Sequence, residues 1–480
     1  MRIRTHAAKG VKNMRRIALG VAVCLATPFV LVSCGGGGGS GGASSTTPSF
    51  NIEPLGTQSL SVTEVNDIIA RAVQASISRG VQSTIAVTDR VGNVLAVYQM
   101  NNAAANATIT SGLAGADGNG LDGSPVPSTL AAIAKAITGA YLSSTGNAFS
   151  TRTASQIVQE FFQPGERGQP SGPLYGVQFS QLPCSDLNVW LSQSASIGPK
   201  RSPLGLSADP GGFPIYQEGR VVGGIGVISS TDAGTNGIYG LDRDILSNET
   251  DLDEEIAFAA IPDALRAPEQ IRANRITANG QTFQFTNTTP AVAGPASLPG
   301  TGNFLAVPGY KAAAGTVAGT SYGTSQSGYV ATTAPAFSGL NTFTLITDPA
   351  DNTAVRFPPT AGSNLTQAEV QNILVEGMKI ANRARAQIRN PVGSPAEVTV
   401  SVVDLDGDIL GLVRSSDAPV FGTDVSVQKA RSALAFSSPE ALTDFASIDA
   451  GTHATFANAM DTFFTQRANV LDGSAAFSAR

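Results

Sequence analysis

The sequence predicts an α/β-class chain, specifically an α+β sandwich with a mostly antiparallel sheet flanked by helices. The unit is duplicated, with the second copy incomplete. Three observations predict this. Two capped, amphipathic helices open on matching sequences. Each is followed by paired β-branched runs joined through a turn from Asp to Gly. A second, glycine-rich hairpin follows the first copy only.

The helices come first in each copy. Residues 60–69 (LSVTEVNDII) match residues 365–374 (LTQAEVQNIL). Ser61 and Thr366 suit the N-cap position, and Glu64 and Glu369, three residues on, complete a capping box. Apolar residues then recur at helical spacing: Val65, Ile68, Ile69, Ala72 and Val73 in one copy, and Val370, Ile373, Leu374, Met378 and Ala381 in the other. Hairpins are expected next, from residues 84–89 into 93–98 and from 399–404 into 408–413. Asp at the start and Gly at the end of the intervening turn suit a tight reversal. Both copies then reach a Lys-Ala pair on a helix, Lys135-Ala136 and Lys429-Ala430, and the end of residues 148–152 (AFSTR) is echoed by residues 476–480 (AFSAR). The first copy alone continues, through a helix near 154–162, a hairpin of residues 211–216 and 220–228, and an acid-started helix over 251–260, where the acids favour the helix dipole. A second copy without that hairpin would expose a sheet edge, which implies a truncated or split chain or a strand supplied by a partner.

Composition narrows the function. Of the 480 residues, 42% are hydrophobic and 14% charged, and the formal net charge is −6. Residues 1–33 hold six of the 30 basic side chains and no acid, so their removal leaves 24 basic against 36 acidic residues. That balance speaks against nucleic-acid binding, which needs cations to neutralise phosphates. The basic stretch ending at Arg15-Arg16, the 15-residue apolar run from Ile17 to Leu31 and the small residues after it have the layout of a secretory signal. Residues 31–34 (Leu-Val-Ser-Cys) resemble a bacterial lipobox, which marks Cys34 for lipidation and predicts a lipid-anchored protein of the cell envelope, on the periplasmic side of the outer membrane or the cell surface. An ordinary secretory peptide is the alternative. Cys184 is then the one remaining thiol, so no intramolecular disulfide is expected. The predicted organisation is a signal peptide (1–33), lipidated Cys and tether (34–57), first domain (58–286), a Gly/Ala/Ser/Thr-rich linker (287–359) whose run at 342–346 packs back onto a domain, and an incomplete second domain (360–480).

Taken together, residues 86–93 (AVTDRVGN), the Lys135-Ala136 helix, residues 147–152 (NAFSTR), residues 211–215 (GGFPI) and residues 219–227 (GRVVGGIGV) resemble the GlcG/HbpS-like family over about residues 58–262. The resemblance implies the sandwich fold, a tendency to form homo-oligomers, and binding of haem, another tetrapyrrole or a metal ion in some members. The stretches at about 101–127 and 437–473 depart from the compact family pattern.

Candidate ligand residues follow from side-chain chemistry. Haem iron takes His, Met, Tyr or Cys. His453 is the one histidine after the signal segment and the candidate metal ligand, weighed against a surface or packing role; Tyr98 is a further candidate in the first hairpin. Lys135 and Arg152 suit pairing with a propionate or other carboxylate, against the alternative of internal salt bridges. Gly211, Gly212 and Pro214 would let backbone approach a ligand or begin a strand. Enzymatic motifs are weak. Gly319-Thr-Ser321-Tyr-Gly323 spells a nucleophile elbow without the strand and helix it needs, and the carboxylates at 404–408 lack the Gly and acid of a calcium loop. No catalytic residue is assigned. The expected function is an envelope lipoprotein binding haem or a related anionic ligand; the alternatives are a ligand-free oligomerising lipoprotein and an enzyme acting on a small organic acid or haem.

Overall fold

Strand β1 (Gln82–Asp89) is buried along nearly its whole length because it is hydrogen-bonded on both sides. It pairs antiparallel with β2 (Val94–Met100), Ile85 opposite Tyr98, and with β6 (Arg220–Ser230), Ile85 opposite Val227. The glycine-rich hairpin β5 (Gly212–Gln217)–β6 therefore joins the first hairpin in one antiparallel sheet, β10-β2-β1-β6-β5. Its outer strand β10 (Gly302–Phe304) comes from the stretch expected to be linker. This is a computed structural model. It describes residues 56–448 except 111–120, 164–169, 177–179, 183–184, 187–196, 231–236, 243–244 and 246–247, together with residue 462. All described residues belong to one compact unit.

The predicted caps are present. Helix α1 (Val62–Ser78) begins at Ser61, whose Oγ accepts from Glu64 N at 3.2 Å while Glu64 Oε2 accepts from Ser61 N at 2.8 Å. Helix α5 (Gln367–Arg383) repeats this with Thr366 and Glu369 at 3.3 and 2.8 Å. Such a cap stabilises a helix by about 1 kcal/mol. Helix α2 (Ser128–Leu142) is buried almost all round and packs on β1, β5 and β6. Glycine makes this approach possible: a Cβ on Gly224 or Gly226 would stand 2.1 Å from the carbonyl oxygen of Ala136 or Ala132. Helix α3 (Thr151–Ile157) follows α2, and helix α4 (Leu252–Ala260) packs on α1 and β6. A small sheet of β3 (Asn106–Thr110), β4 (Pro125–Pro127) and β7 (Gly237–Gly240) and the ribbon β8 (Thr277–Ala278)–β9 (Gln281–Thr282) complete this half.

The order of helix, hairpin and helix recurs later in the chain. After α5, β14 (Thr399–Val403) and β15 (Ile409–Arg414) form an antiparallel hairpin whose turn is closed by Gly407 N bonding Asp404 O at 2.9 Å, and α6 (Gly422–Ser437) and α7 (Ala441–Ile448) follow. The sheet runs β11-β12-β15-β14, where β11 (Tyr329–Ala331) and β12 (Phe343–Asp348) lie in the 287–359 stretch and β13 (Asp351–Val355) pairs β12. That stretch thus supplies strands to both sheets rather than running between them. Among the described residues, β14 pairs on one side only, at the edge where β1 receives β6.

The two halves share a core, in which Tyr329, Leu345, Leu412, Val420 and Val427 join the cluster around β1 and α2. An ion cluster fastens them. Asp417 Oδ1 accepts from buried Arg90 at 2.8 Å and Asp417 Oδ2 from Arg389 at 2.8 Å and from Thr145 N at 2.9 Å. Arg90 also lies 3.8 Å over the Tyr322 ring and Arg414 4.3 Å over Tyr329. Burial alone would raise the Asp417 carboxyl, but Arg90 and Arg389 hold it below the ordinary range.

Replacing Asp417 with Ala strands two guanidiniums and should cost about 3–5 kcal/mol in chemical denaturation at pH 7. Because its folded pKa is depressed, Asp417 contributes stability above about pH 4, where the unfolded carboxyl is ionised, and this is lost as pH falls through the folded value. The acid limb of the stability profile should be shallower in Asp417→Asn.

Candidate functional site

Helix α2 carries Lys135 into the interior, where its ammonium bonds Asp209 at 2.5 Å and Asp253 at 2.7 Å. Gly211, at φ +107°, sits against this group; a Cβ there would lie 2.5 Å from Asp253 Cβ and 3.2 Å from Lys135 Nζ. The N–H of Gly212 donates to Thr151 Oγ1 at 2.9 Å, and its missing side chain leaves room for the Lys135 carbonyl. Pro214 lies opposite Gly224 in the β5–β6 ladder and beside Gly139 of α2. On α3, Arg152 is bidentate to Glu254 at 2.7 and 3.1 Å and reaches Asp242 at 3.1 Å.

The structure therefore gathers Lys135, Gly211, Gly212 and Pro214 around α2, with Arg152 held by the residue next to Asp253. It also shows that both cations are paired within the protein. The acid-started helix explains how: Asp251 caps α4 through Glu254 N at 2.9 Å, while the next two acids, Asp253 and Glu254, take Lys135 and Arg152. These acidic partners were not predicted as such; the run of acids at 251–255 was the available signal, read there only as favouring the helix dipole. Burial pushes Asp209 up to about 7 and Asp253 up to about 6 despite Lys135, while the two carboxylates hold the buried ammonium above its ordinary value.

Tyr98 belongs elsewhere. Its hydroxyl lies 2.8 Å from Thr301 Oγ1 and 3.1 Å from Leu298 O, and its ring meets Phe304 edge-on at 5.0 Å. His453 and Cys34 lie outside the described residues, among which no group of three or more His, Cys, Asp or Glu is placed to hold a metal ion. Ser321, in the elbow-like sequence, donates to Thr57 O at 2.8 Å from a loop.

A largely apolar cavity lies where the two halves meet. It holds about 410 Å³ and is walled on one side by Leu142, Phe149, Ile157, Leu174 and Phe283 and on the other by Ile388, Val398, Phe421 and Val425. Phe149 and Phe283 contact edge to face, with centroids 6.3 Å apart. Few polar groups interrupt these walls. Thr399 Oγ1 is buried without a hydrogen-bond partner. Burial and the neighbouring Asp417 push Glu397 up to about 7, so it contributes only part of a charge at neutral pH. Lys429 lines the same cavity and is exposed, with no carboxylate bonded to it among the described residues. The two lysines matched in sequence thus differ: Lys135 is locked between acids, and Lys429 borders an apolar slot. Of the side chains that ordinarily ligate haem iron, none lines the slot among the described residues.

No family model and no curated protein matches the chain. Among solved structures, the crystal structure of Klebsiella pneumoniae protein ORFY, of family DUF336, is 19% identical, with a TM-score of 0.25 over 44% of this chain and 92% of that one. A PduOC:heme complex is 18% identical, with a TM-score of 0.24 over 42% of this chain and 96% of that one. At such TM-scores neither likeness says what the present chain binds.

Lys135→Met leaves Asp209 and Asp253 buried together and should cost about 3 kcal/mol in denaturant unfolding at pH 7. Because Asp209 and Asp253 have raised folded pKa values, the native state holds protons that the unfolded chain has released, and stability should fall as pH rises from about 4 to 7. Asp209→Asn should flatten that slope.

Proposed function

We propose that this protein is a binding protein of the cell envelope, lipid-anchored through Cys34, that takes up haem or a related planar tetrapyrrole for storage, sensing or detoxification. The observation that carries the reading is the apolar slot between the halves, with Lys429 at its wall. Phe149, Phe283 and Phe421 offer hydrophobic surface to a macrocycle, and a propionate would pair with the Lys429 ammonium. Glu397, pushed up to about 7, repels such an anion less than a fully ionised carboxylate would. The GlcG/HbpS-like motifs support the same ligand class. The signal-like segment and the Leu-Val-Ser-Cys sequence support the location.

A second reading, an assembling envelope protein, is favoured by one feature. Strand β14 leaves one edge unpaired among the described residues. Such an edge is a template for another strand. Size-exclusion chromatography with light scattering distinguishes a monomer from the homo-oligomer this reading requires.

Titration of the full chain with haemin and with metal-free protoporphyrin tests the first reading. Both should give saturable binding of similar strength, because the slot supplies no iron ligand. Val425→Trp, which fills the slot, should weaken both at least tenfold, and Lys429→Ala by a few-fold, as for a partly exposed ion pair. Unchanged affinity in Val425→Trp would remove the slot as the site.

A further inference from the structure

A second cavity, of about 460 Å³, has the opposite chemistry. It is half open and lined by Gly92, Asn93 and Val94 of the first hairpin, by Lys200 and Arg201, and by residues 309–312 including Tyr310 and Lys311. Lys200, Arg201 and Lys311 all line it, and no acidic residue does so among the described residues. In a chain with five lysines after residue 33 and a net negative charge, two of the five border this one space.

The fold holds these groups in place. The Tyr141 hydroxyl, buried on α2, accepts from Lys200 N at 2.7 Å and sits 2.8 and 2.6 Å from the carbonyl oxygens of Val91 and Lys200. The 307–311 turn is closed by a reciprocal pair, Lys311 N to Val307 O at 2.8 Å and Val307 N to Lys311 O at 2.9 Å. Arg201 donates to Gly309 O at 3.2 Å and lies 5.2 Å from the Tyr310 ring centroid.

Lys311 is the informative residue. It is 7% exposed, and among the described residues no carboxylate or other side chain bonds its ammonium, which meets the half-open cavity. The Asp89 carboxylate accepts from Val91 N, Asn93 N, Asn93 Nδ2 and Thr320 N at 2.7–3.1 Å and acts on Lys200 through its charge. Burial lowers Lys200 to about 8, with Asp89 opposing and Arg356 adding to the shift.

We propose that this cavity binds a small organic acid carrying two or three carboxylates, paired by Lys200, Arg201 and Lys311. The planar Arg201 fork suits a carboxylate, and the volume exceeds what an inorganic anion fills. This site is independent of the tetrapyrrole slot.

Isothermal titration of the full chain at low ionic strength, with citrate, inorganic phosphate and acetate in separate arms, tests the assignment. Citrate should bind saturably at one site, at least tenfold more tightly than either other anion. Lys311→Met should weaken citrate at least tenfold while leaving the melting temperature of the ligand-free protein near that of the wild type; a structural lysine would show a drop. Arg201→Gln should weaken citrate similarly and provides a second variant if the first folds poorly. Phosphate binding as tight as citrate, wild-type affinity in both variants, or no saturable heat overturns the proposal.

Discussion

The Asp417 carboxylate, held between the buried guanidiniums of Arg90 and Arg389, is the constraint on which both cavities depend. Arg90 begins the turn of the first hairpin, whose next residues, Val91 and Gly92, lead to the basic cavity. Asp417 immediately precedes Ala418 and Pro419, which wall the apolar slot. One anion between two cations, with Thr145 N as a further donor, thus sets the later half against the earlier. Such a cluster is demanding, since each member is costly if its partner is lost. The aromatic rings of Tyr322 and Tyr329 beneath Arg90 and Arg414 supply attraction that needs no further acid.

Charge is scarce in this chain, and its placement separates two kinds of cation. Lys135 and Arg152 are enclosed by Asp209, Asp253, Glu254 and Asp242, and their attraction joins α2 and α3 to α4. Lys311 and Lys429 border cavities, with no acid bonded to them among the described residues. The first kind holds the fold together. The second has unmet capacity for an anion, one beside apolar walls and the other beside further cations, so the two cavities select different ligands.

Local features were legible in the sequence because local interactions decide them. The capping boxes at Ser61 and Thr366, the Asp-to-Gly turns and the glycine-rich β5–β6 hairpin all depend on residues within a few positions of one another. The grouping of Lys135 with Gly211, Gly212 and Pro214 was legible as well, through glycines placed where helix and strand backbones approach. What those residues do there was not. Their acidic partners lie 74 to 118 positions along the chain from Lys135, and nothing in the local pattern distinguishes an acid that caps a helix from one that crosses it. Nor could composition reveal that the Gly/Ala/Ser/Thr-rich stretch at 287–359 adds strands to two sheets, because its short runs pair with distant edges.

The sequence alone determined the α+β class, the recurring helix-and-hairpin order and the positions of the turns, since periodicity and caps are written over ten or twenty residues. Tertiary structure decided which matched lysine is neutralised and which borders a cavity, and where apolar and cationic space remains. Those outcomes depend on long-range packing and desolvation, and burial gives the same side chain different roles according to what stands within 3 Å of it.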